Sequence, residues 1–136
     1  MKIDYKAYEA ECARIRESNR QLMEEFAAWL AEQGLGDATI RKHVGNVEFY
    51  IDHFLLYEDA TEPQDGALRV DMFLGSWFIR KATWASEATV KASATALKKF
   101  YAFLHDRGQV SADTLQALQR MIKRDMPRWL AKVRHY

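Results

Sequence analysis

Apolar residues in this chain recur at intervals of three and four over almost its whole length, and nowhere alternate with polar residues at a period of two. Helices turning 100° per residue gather such positions on one side, and no segment is patterned as a half-buried strand. The stripes are Tyr5, Tyr8, Cys12 and Ile15, then Leu22, Phe26, Trp29 and Leu30, then Ile40, Val44, Val47, Ile51, Phe54 and Leu55. Val70, Phe73, Leu74, Trp77 and Phe78 form a fourth stripe, and Val90, Ala94, Leu97, Phe100, Tyr101 and Leu104 a fifth. Two prolines and six glycines are all that punctuate 136 residues. The expected fold is all-α, a compact bundle of about five or six helices in one domain over 1–136.

Capping residues set the expected boundaries. A first helix spans 4–17, a second follows Ser18 as N-cap and ends at Gly34 and Gly36, and a third, capped by Asp37, spans 38–58. "EDATEPQDG" is the one clear loop. A short helix covers 70–82, and Ser86 caps one over 86–107 that stops at Gly108. Ser111 caps 112–124, and Asp125 with Pro127 in its first turn starts a last short helix. The expected core holds Trp29, Val44, Val47, Phe54, Phe73, Trp77, Leu97, Phe100 and Leu104. The helices opening "DATIRK" and "EATVKA" are variants of one pattern, each followed by an aromatic pair, Phe49-Tyr50 and Phe100-Tyr101. Two similar helices are therefore expected to do similar jobs.

Several function classes find no residues to support them. No apolar run is long enough for a membrane span, and the charged first twenty residues do not form a signal peptide. Cys12 has no partner for an intrachain disulfide or a structural zinc, and a reduced, cytoplasmic setting is expected. His43, His53, His105 and His135 are not paired at helical metal-site spacing. Phosphate-cradling glycine loops and nucleophile elbows are missing, and no cofactor is expected. Tyr136, beside Arg134 and His135, reads as surface, because adjacent helical residues point about 100° apart.

Net charge is +1, but it is unevenly distributed. Residues 1–85 carry 10 basic and 15 acidic side chains (−5), and 86–136 carry 10 and 4 (+6). A C-terminal half of that sign suits a polyanion partner. With Val90 at zero on a helical wheel, Ala94, Leu97, Phe100, Tyr101 and Leu104 of "SEATVKASATALKKFYAFLHDRG" lie within 80° of it. Lys91, Thr95, Lys98 and Lys99 lie between 80° and 180°, with the small residues Ala92 and Ala102 beside them. Such a low, basic face is what a helix lying along a nucleic-acid backbone needs.

"DATIRKHVGNVEFYIDHFL", followed some thirty residues later by "SEATVKASATALKKFYAFLHDRG", resembles the N-terminal, SAM-like core-binding domain of tyrosine recombinases, the phage-integrase family. Thr89, Val90, Lys91, Leu97, Phe100, Tyr101, Phe103, Leu104 and Gly108 carry the second motif. "VDMFLGSWF" and "MEEFAAWLAEQGL" resemble the helices around it. The resemblance covers about 20–110 and leaves 111–136 as a basic helical extension. It implies a bundle clasping duplex DNA, with Thr39, Arg41, Lys42, Lys91, Thr95, Lys98 and Lys99 on the DNA side. It also implies a role in recombination or integration beside a recombinase or other catalytic partner, since the family's catalytic domain and Tyr nucleophile are not in this sequence. Here His43 replaces a usual Tyr, Ala92 and Ser93 stand at positions often basic, and Glu48 and Asp52 share the side of Arg41. Those departures imply weak binding.

The tail "QRMIKRDMPRWLAKVRHY" supports a second reading, a helical protein-interaction module that has lost DNA binding. Met126, Trp129, Leu130 and Val133 form its apolar stripe, flanked by Arg128, Lys132 and Arg134. The expected place of Trp129 and Leu130 is docked on the bundle.

Overall fold

The computed structural model describes residues 4–136, and these form five helices without strands. Helix α1 is Tyr5–Glu32, and Asp4 caps it by accepting from the Ala7 amide at 3.1 Å. Helix α2 is Asp37–Phe49, continued by a π-helical turn, Tyr50–Phe54. Short 3-10 turns at Pro63–Asp65 and Ala67–Arg69 lead into α3. That helix spans 70–81, with a π-helical turn, Phe73–Trp77, between Val70–Met72 and Phe78–Lys81. Helix α4 is Glu87–Asp106 and α5 is Ala112–Arg134. No helix is long and apolar enough to cross a membrane.

Two expected breaks are not there. Residues 4–17 and the segment after Ser18 form one 28-residue helix, with Ser18 exposed in its middle. Neither Gly nor Pro interrupts α1, and Cys12, Ile15, Asn19, Met23, Phe26 and Leu30 make a continuous buried stripe across the expected junction. Likewise α5 runs straight through Pro127. Ile122 before it and Trp129 after it are both buried in the core, so packing on either side outweighs the missing amide. Asp37 is also not a cap. Gly36 takes that position, and Asp37 lies in the first turn, where its charge meets the positive helix end.

Other stops and starts fall where the sequence places them. Gly34 and Gly108 have φ of +90° and +77°, and each closes its helix with the same pair of bonds. Gly34 and Leu35 amides reach the carbonyls of Ala31 and Leu30, as Gly108 and Gln109 reach His105 and Leu104. This is the Schellman arrangement, which needs a left-handed residue. Ser86 and Thr89 form a reciprocal capping box, and Ser111 accepts from the Thr114 amide at 3.1 Å.

Helix α4 is central. It packs on α1, α2 and α5, and Ser93, Ala96 and Phe103 are buried along with the expected stripe. Ala96 and Phe103 lie about 120° and 140° from Val90, so neighbouring helices close in on a wider arc than the apolar pattern shows. Val47, Phe54, Phe73, Trp77, Leu97, Phe100 and Leu104 are buried as expected. Trp29 and Val44 are only half-buried, at the edge of the core. Trp29 keeps its indole edge outside, donating to Asp106 at 3.2 Å.

The paired helices α2 and α4 do share a task. Tyr50 donates to the Gly66 carbonyl at 2.6 Å and Tyr101 to the Pro63 carbonyl at 2.8 Å. Both hydroxyls are buried and pin the same connection, so the "EDATEPQDG" loop is anchored from two sides. Trp129, fully buried, docks α5 on α3. A methyl group at Gly75 would lie 2.8 Å from Trp129 Nε1, so a glycine is what lets the indole in.

Candidate nucleic-acid interface

The bundle holds α4 by more than half of its circumference and leaves one arc outside. Lys91, Thr95 and Lys98 are exposed on that arc, and Lys99 is half-buried at its edge. Thr39, Arg41 and Lys42 are exposed on α2, which packs alongside α4. Among the described residues, Arg41, Lys42, Lys91, Lys98 and Lys99 make no ion pair. Leaving so many cations unpaired on neighbouring helices creates a positive field that an anion can neutralise.

The seven residues do not share one surface. Lys99 lies at the α2–α4 seam next to His43, whose imidazole is held below its ordinary pKa, first by burial and then by the Lys99 charge. The Nδ1 atom of His43 is buried without a hydrogen-bond partner. Thr39 precedes His43 by four residues and is therefore on the same side of α2. Arg41 lies about 160° round the helix from His43, away from the seam. About two and three turns further along the helix, Glu48 and Asp52 face α1 across a groove that also holds Arg16 and Arg20. Asn19 donates to the Asp52 carboxylate at 2.9 Å. Partial burial, with Asp52 close by, holds the Glu48 carboxyl above the ordinary range. These two acids therefore belong to the α1 flank and leave the α4 arc free of their charge.

Two of the α4 positions differ from expectation in chemistry. Thr95 donates its hydroxyl to the Lys91 carbonyl at 3.1 Å, so its proton is engaged within the helix. Ser93 is 3% exposed and is a core position, so a base there would be buried rather than offered to phosphate. Only Ala92, which is exposed, is a surface site without charge.

Lys98 lies about 100° round the helix from Lys99, toward α5, where it shares a groove with Lys123 and Arg134. Arg134 also pairs with Glu87, through Nη2 at 2.9 Å and Nε at 3.3 Å, and so ties the end of α5 to the start of α4. That bond holds the Glu87 carboxyl below the ordinary range, with Lys91 adding to the effect. The tail's cations thus divide. Arg124 and Arg128 share the single carboxylate of Asp125, whereas Lys123 joins the lysines of α4. The excess charge of 86–136 is the visible signal for Lys123, but its side of α5 follows only from how Trp129 docks. Tyr136 is 76% exposed, and no three His, Cys, Asp or Glu among the described residues gather where they could hold a metal. Compared with protein-family models, with curated proteins and with solved structures, the chain matches none.

Proposed function

We propose that this protein binds duplex DNA without cutting it, as an accessory domain of the recombinase core-binding type. One observation carries the reading. The outer arc of α4 presents Lys91, Lys98 and Lys99 with no ion pair among them, on a helix whose other side is locked into the core. A rigid row of unpaired lysines with low neighbours, Ala92 and Ala102, suits contact with a phosphate backbone, where cations replace condensed counterions. Lys42 from α2 and Lys123 from α5 extend the positive surface to either side. Phosphate contacts of this kind position a protein on DNA and read little sequence, so the binding is weakly selective.

A fluorescence titration of the whole chain with short duplexes, at low and at moderate salt, tests this directly. The expected result is saturable binding at low salt that weakens steeply as salt rises. Failure to bind any duplex at low salt would overturn the reading.

A further inference from the structure

An open groove of about 820 Å³ runs along the seam of α4 and α5. Its floor is formed by Ile122, Met126 and Leu130, and Lys98, Lys123 and Arg134 stand along its rim. No carboxylate lines it. Ile122 is buried, whereas Met126 and Leu130 keep part of their surface open to the groove. We infer that this groove is the docking site for an acidic amphipathic helix of a partner protein.

The chemistry of the groove selects among possible occupants. Phosphates would be drawn to the rim, but a DNA backbone gains nothing from Met126 and Leu130, whose burial is favourable only against apolar groups. A helix suits both floor and rim, by laying an i, i+3/i+4, i+7 stripe on the floor while its flanks meet the rim. The flanks must be acidic, since Lys98 and Lys123 make no ion pair in the fold, whereas Arg134 is already paired with Glu87. Ile122 to Arg134 spans about 18 Å of helix, which a partner segment of about 12 residues would match. The inference shares Lys98 and Lys123 with the DNA reading but is carried by the apolar floor, which takes no part in phosphate contacts.

A labelled peptide of about 15 residues, with Leu at helical spacing and Glu on both flanks, is the probe, titrated against the whole chain by fluorescence anisotropy. A scrambled peptide of identical composition is its control. The patterned peptide is expected to bind at least about tenfold more tightly than the scrambled one. Leu130→Gln should abolish that advantage while leaving duplex binding unchanged. A Lys98→Glu, Lys123→Glu double variant, altered only at exposed positions, should weaken the patterned peptide at least about tenfold, even if Leu130→Gln proves unstable. Equal binding of the two peptides would reduce the groove to a polyanion surface and overturn the inference. So would absence of saturable binding by the patterned peptide.

Discussion

On its inner side α4 packs Val90, Leu97, Phe100, Tyr101 and Leu104, all at 0% exposure, against the other helices. On its outer side, within the same turns, it carries Lys91, Lys98 and Lys99 with no ion pair. The two sides belong to one helix but answer to different forces. Inner residues act through packing, which salt barely touches, and outer ones through charge, which salt screens. Substitutions on α4 should therefore separate into those that melt the bundle and those that only release a ligand.

The largest effect is expected inside. Leu97→Ala should destabilise the fold by about 2–5 kcal/mol, seen as a lower denaturation midpoint. An unchanged midpoint would show that the inner side is not the core. Tyr101→Phe sharpens the comparison, since it keeps the buried ring and removes only the bond to the Pro63 carbonyl. The orphaned acceptor should cost about 1–3 kcal/mol, measured by the same denaturation. Burial holds the Tyr101 phenol well above its ordinary pKa, so this bond should persist through mildly alkaline pH.

His43 tests the boundary between the two sides. Its folded pKa is lowered from a usual value near 6.5, by burial first and Lys99 second. Between the two values the unfolded chain binds more protons, so stability should fall as pH drops below about 6.5. His43→Gln should flatten that limb of the stability profile. A His43→Gln variant with the same acid sensitivity as the parent would place the titrating group elsewhere.

Much of this architecture is legible in residue spacing, and the failures have physical causes. The helical stops at Gly34 and Gly108 were readable because a left-handed residue is a local requirement. Ser18 and Pro127 misled for the opposite reason. Their local preferences, N-cap and helix start, yield to buried residues on both sides that keep one helix intact. Ser93 looked like a surface position because its hydroxyl counts as polar, although it lies about 60° from Val90, inside the apolar arc, and is buried. For the candidate site, the lysine arc of α4 could be drawn on a wheel. The wheel could not show that Lys99 meets His43 or that Lys98 shares a groove with Lys123, because both depend on how separate helices dock.

The central claim is that the outer arc of α4 meets phosphate. Its most direct test is the salt dependence of duplex affinity, measured for the parent chain and for a Lys91→Ala, Lys98→Ala double variant. Three contacts from α4, with one or two from Lys42 and Lys123, give a slope of log affinity on log salt of about −3.6 to −4.5. The double variant should melt as the parent does, bind all sequences more weakly, and lose about 2 from that slope. A double variant that melts normally and keeps the full slope would contradict the claim.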